Sequence, residues 1–125
     1  MAGSQLFYSG IKDSEVELWV TDGTAAGTRQ VADLNKAIWP YGSSSPDEML
    51  AVGNVIYFSA RDQAHGTELW RSDGTAAGTV LISDIEPGPY DSEPRDLKVM
   101  AGKLYFSANR NDVGHELFVV DLPAE

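Results

Sequence analysis

The stretch Glu17-Leu18-Trp19-Val20-Thr21-Asp22-Gly23-Thr24-Ala25-Ala26-Gly27-Thr28 returns at Glu68 to Thr79 with ten of twelve positions identical, and a shorter copy, Glu116-Leu117-Phe118, stands near the end of the chain. The copies are spaced 51 residues (Glu17 to Glu68) and 48 residues (Glu68 to Glu116) apart. A period near 50 residues belongs to propellers and similar arrays, whose units cannot bury their own faces and depend on neighbours. The repeat therefore restricts the chain to a fold in which units stack.

The second unit shows the plan of one repeat. Glu48-Met49-Leu50-Ala51-Val52 is a short apolar run stopped by Gly53-Asn54, and the β-branched and aromatic run Val55 to Ala60 follows it, so the pair reads as a tight hairpin. A polar loop leads to Thr67 to Ser72, and the Asp73-Gly74-Thr75-Ala76-Ala77-Gly78 turn leads to Thr79 to Ile85. Inside/outside alternation is weak at Val55 to Phe58 and at Val80 to Ile82, which predicts a sheet covered on both faces. Four strands with both faces covered describe a propeller blade.

With strands labelled a to d from the axis outward, the predicted order begins with b (Leu6 to Ser9), c (Val16 to Thr21) and d (Thr28 to Leu34). One full unit follows, and then a (Asp96 to Ala101), b (Leu104 to Ala108) and c (His115 to Asp121). The expected fold class is all-β: antiparallel four-stranded propeller blades in an incomplete propeller closed by homo-oligomerisation. Residues 1–125 form a single partial propeller, with an incomplete b-c-d blade at 5–35, a full blade at 47–86 and an incomplete a-b-c blade at 95–122. Open ladder edges invite pairing with another chain, and symmetric closure of identical chains satisfies them. Two chains of ten strands each make twenty, the number in five blades, so a closed dimer is the favoured expectation and a trimer the alternative.

Glu-Leu-Trp-x-x-Asp-Gly-Thr, present at 17–24 and 68–75, resembles the signature of the ELWxxDGT repeat family. The flanking Ala-Ala-Gly-Thr at 25–28 and 76–79, Asp84-Ile85 and Leu104-Tyr105-Phe106-Ser107-Ala108 also fit it, so the resemblance covers nearly the whole chain. It departs from the pattern at 35–46, a longer and more aromatic connection, and after Val119-Val120-Asp121, where Asp-Gly-Thr is missing. The resemblance implies a β-propeller from a secreted or cell-surface bacterial protein, although Met1-Ala2-Gly3-Ser4 lacks the segments of a signal peptide. It implies no activity, because fold does not fix function.

Composition narrows the partners. Nineteen acidic residues against nine basic ones give a net charge of −10, which repels phosphate backbones and anionic lipid surfaces, so neither nucleic acid nor membrane is expected. The absence of cysteine rules out disulfides and thiolate metal sites. No Gly-x-Ser-x-Gly elbow, P-loop or dinucleotide fingerprint occurs.

Within the repeat, Asp22 and Asp73 suit Asx-type turns, and one carboxylate per turn is too few for a calcium cage. Glu17, Glu68 and Glu116 suit cross-strand or loop-pinning roles, while Trp19, Trp70 and Phe118 suit packing between blades. Variable loops in a repeat scaffold carry function, and here the b–c and d–a connections vary and share one edge of the sheets. Trp39, Tyr41, Tyr90, Arg61 and Arg110 are the candidate ligand-binding residues there, for a glycan or a protein. The alternative is a metal-dependent ester or phosphoester hydrolase, in which His65, His115, Asp62 and Asp112 hold a divalent metal, zinc or calcium, near the axis of an oligomer. No catalytic residue is assigned.

Overall fold

The computed structural model describes residues 4–12, 15–32, 46–62, 66–83, 92–110 and 114–122. These form ten strands: β1 (Leu6–Lys12), β2 (Glu15–Thr21), β3 (Arg29–Ala32), β4 (Asp47–Val52), β5 (Val55–Asp62), β6 (Gly66–Ser72), β7 (Val80–Ser83), β8 (Arg95–Met100), β9 (Lys103–Arg110) and β10 (Gly114–Asp121). They pair in sequence order into three antiparallel sheets: an N-terminal sheet β1-β2-β3, a middle sheet β4-β5-β6-β7 and a C-terminal sheet β8-β9-β10. The fold is all-β, with strand spans close to those read from the sequence; of the predicted strands Thr28 to Leu34 and Thr79 to Ile85, β3 and β7 are the parts described as strand, and residues 33–34 and 84–85 lie outside the described residues.

The middle sheet is packed on both faces. Along β5, Ile56, Phe58 and Ala60 join Trp70 in a cluster with Phe7, Leu18, Val20 and Val31 of the N-terminal sheet. The intervening Tyr57 joins Leu69 in a second cluster with Leu104, Phe106 and Ala108 of the C-terminal sheet. Successive strand side chains point to opposite faces, so the unbroken apolar run of β5 has two cores to fill. This is the physical reason for its missing alternation. Burial of a large apolar side chain contributes roughly 1.5–3 kcal/mol, and β5 serves both cores with consecutive residues. At the outer edge the coverage thins: Leu81 and Ile82 pack against opposite cores while Val80 is exposed.

The edge strands β4 and β8 carry a repeated irregularity. Register shifts fall between Asp47 and Leu50 in β4 and between Arg95 and Lys98 in β8. The bulged residues Glu48 (φ 52°) and Asp96 (φ 56°) both adopt the left-handed region, a conformation bulges accommodate. Glu48 reaches across to the next sheet, where its Oε2 accepts the Asp96 N–H at 3.2 Å. The two bulges thus tie β4 to β8.

Candidate functional site

The most repeated residues build turns. In the first copy Asp22 Oδ1 accepts from the Thr24 N–H (2.9 Å) and the Thr24 hydroxyl (2.6 Å), and Thr24 Oγ1 accepts from the Gly27 N–H (3.0 Å). The Thr28 hydroxyl donates to the Thr24 carbonyl at 2.6 Å and lies 2.6 Å from Thr21 Oγ1, which accepts the Gly23 N–H. The second copy reproduces every contact, with Ser72 in place of Thr21: Asp73 takes the Thr75 amide and hydroxyl, and Thr79 links Thr75 to Ser72. A β-carbon at Gly27 or Gly78 would collide with the Asp22 or Asp73 carboxylate, which accounts for glycine there. The Thr24 hydroxyl, followed by its amide, holds the Asp22 carboxyl below its ordinary value of 3.8, and Thr75 does the same for Asp73. Both carboxylates are engaged by their own turns.

Glu68 pins a loop. It is fully buried, and its Oε1 accepts the Ser92 hydroxyl at 2.8 Å. Ser92 also donates its N–H to the Thr67 carbonyl (2.9 Å) and accepts the Asn109 N–H (2.7 Å), so the segment entering β8 is stitched to β6 on one side and β9 on the other. Glu17 is likewise buried, whereas Glu116 is exposed. Trp70 and Phe118 pack between sheets as expected, Phe118 stacking on Phe106 at 5.9 Å, while Trp19 is half-buried beside Tyr8 on the outer face of the N-terminal sheet.

Antiparallel connectivity puts the ends of β1, β5 and β9 and the starts of β2, β4, β6, β8 and β10 at the ends of their sheets opposite the Asp-Gly-Thr turns. At that edge, between the middle and C-terminal sheets, lies a cavity of about 300 Å³ lined by Asp47, Glu48, Ser59, Thr67, Glu93, Pro94 and Arg95. Its rim is charged, with three carboxylates and the Arg95 guanidinium, which stands 3.6 Å from Glu93. Carboxylates accept and guanidinium donates, so the cavity presents both halves of the pattern that hydroxyl groups satisfy.

Of the residues singled out from the sequence, exposed Arg61 and half-buried Asp62 sit at the end of β5 on this edge, and Asp62 pairs with Gly66 across the hairpin. Arg110 ends β9 and His115 is the second residue of β10, opposite Asn109, with both side chains outside the described part of the chain. Trp39, Tyr41, His65, Tyr90 and Asp112 lie outside the described residues. Among the described residues no three His, Asp or Glu side chains are grouped to hold a metal.

Sequence reasoning missed the cavity. Its signal is a second repeat: Ser44-Ser45-Pro46-Asp47-Glu48 and Ser92-Glu93-Pro94-Arg95-Asp96 share Ser-x-Pro followed by an acidic residue two positions on. In each copy the proline leads into the bulged edge strand. Compared with known proteins, the chain matches no family profile, no curated sequence and no solved structure.

Proposed function

We propose that the chain is a segment of a β-propeller acting as a binding module, and that its variable loop edge takes a polyhydroxylated ligand of the glycan class. The observation that carries this reading is the 300 Å³ cavity at that edge, where Asp47, Glu48 and Glu93 face Arg95 between two stacked sheets. Ligand sites favour clefts between packed units with a few convergent polar groups, and this volume is at the small end of the usual range of roughly 300–1,000 Å³. One sugar ring is a suitable guest. Vicinal hydroxyls would donate to the carboxylates and accept from Arg95, and exposed Arg61 near the end of β5 lies on the same edge. Stacking of repeated units gives several such edges around a ring and hence avidity.

The test is a printed glycan array probed with the purified chain, followed by calorimetry on the best hit. Glu93→Ala and Arg95→Ala change exposed side chains and should each weaken binding about tenfold, the effect of losing one charged hydrogen bond of roughly 1.5 kcal/mol. Unchanged affinity in both variants would contradict the reading. Chelator-sensitive ester turnover with bound metal would favour the hydrolase instead.

A further inference from the structure

We propose that the outer face of the C-terminal sheet docks onto the outer face of the N-terminal sheet of a second copy of the chain, head to tail, repeating the junction that the molecule already makes twice within itself. The proposal rests on reading the three sheets as successive blades.

One repeat position shows the logic. Leu18 and Leu69 are both fully buried, Leu18 against the middle sheet and Leu69 against the C-terminal sheet. In each case the leucine faces the sheet that comes next in the chain. Leu117 holds the same position and is 72% exposed. Beside it on that face lie Val119, 53% exposed, and its strand partner Tyr105, at the positions of Arg71 and Tyr57 in the middle sheet. Lys98 and Lys103 stand where the middle sheet has Leu50 and Val55; both are exposed, and the Lys103 ammonium pairs with Asp121 across the strands.

The opposite end carries the complement. The middle sheet receives Leu18 with Ile56, Phe58 and Trp70. The C-terminal sheet receives Leu69 with Leu104, Phe106 and Phe118. The same repeat positions in the N-terminal sheet are Leu6, Tyr8 and Trp19, paired in register as Leu6 with Thr21 and Tyr8 with Trp19. Leu6 is 47% exposed, and Trp19 lies over Gly10, where a β-carbon would come within 2.5 Å of its Cδ1. Ala60 and Ala108 fill the Gly10 position in the other sheets, so a small residue keeps this receiving surface open each time.

A second copy is the occupant the chain itself specifies. The middle sheet stands between the two faces, so one chain cannot join them; two copies can, by a contact whose two sides are already seen together in both internal junctions. Docking a face on its own duplicate would set leucine face against leucine face, a junction with no precedent in the molecule. A head-to-tail contact of this kind closes into a ring when its rotation permits and otherwise propagates.

Light scattering behind a sizing column tests the contact. The unmodified chain should exceed its 13.5 kDa monomer mass and grow with concentration. Leu6→Asp and Leu117→Asp should each run as monomers, because each lacks one side of the junction. Mixed together they should form a one-to-one heterodimer, since each contributes the side the other lacks; Val119→Asp replaces Leu117→Asp if the latter does not fold. An unmodified chain that stays monomeric up to its solubility limit overturns the proposal, as does either variant that still self-associates, or a mixture that stays monomeric. Amide exchange along β5, measured on the same samples, separates the two levels of failure. Protected β5 amides in a monomeric chain overturn the docking and leave the stacked blades standing, whereas β5 amides that exchange as fast as the loops overturn both.

Discussion

Asp22 and Asp73 show how much of the repeat is legible residue by residue. Their position before Gly-Thr predicts an Asx turn, and each accepts the amide and hydroxyl two residues on. What the sequence does not announce is the chain from the Thr21 hydroxyl through the Thr28 hydroxyl to the Thr24 carbonyl, because it joins residues seven apart across the turn. Such chains are cooperative, each bond polarising the next. The depressed Asp22 and Asp73 carboxyls have a consequence for pH. A carboxyl lowered in the folded state stabilises the fold fully above its ordinary value of 3.8, and that contribution is lost as pH falls through the folded value. Melting temperatures recorded from neutral pH down to about pH 2 should therefore decline more steeply in the unmodified chain than in the Asp22→Asn/Asp73→Asn double variant. Identical acid limbs would show that these turns do not couple to folding.

Strand positions follow from turn residues and apolar runs, and ten strands fall where Gly, Asn and Asp punctuate them. The bulges of β4 and β8 do not follow, because Glu48 and Asp96 adopt left-handed backbone with side chains that give no local warning. Each bulge comes after a Ser-x-Pro segment, and the second of these is held by β6 of the middle sheet and by β9 of its own sheet. The cavity was hidden for the same reason, since it is made where the entry to β8 meets β4, β5 and β6. Ser92 is the tie that matters most to this arrangement, because it satisfies a buried carboxylate. Ser92→Ala should cost about 1–3 kcal/mol in urea unfolding, the penalty for removing one hydroxyl donor shared by the buried Glu68 carboxylate and the Thr67 carbonyl. A loss under about 0.5 kcal/mol, the size of an ordinary surface change, would mean that Glu68 needs no partner from this loop.

At the scale of the molecule, one motif position reads out the stacking of the sheets. The sequence presents Leu18, Leu69 and Leu117 as equivalents between Glu and an aromatic residue, and the missing Asp-Gly-Thr after the third does not foretell its exposure. Only the order of the sheets does: the first two are enclosed by the sheet that follows, and the third faces solvent. Period and punctuation made the units legible, while the partner of each face depends on contacts between units. Unfolding free energies of Leu69→Ala and Leu117→Ala, measured at dilution low enough to keep the chain monomeric, test the stacked-blade account most directly. Leu69→Ala should lose about 2–5 kcal/mol, the cost of a cavity between two packed sheets, and Leu117→Ala should change stability by less than about 0.5 kcal/mol. Equal losses at the two positions would contradict the account.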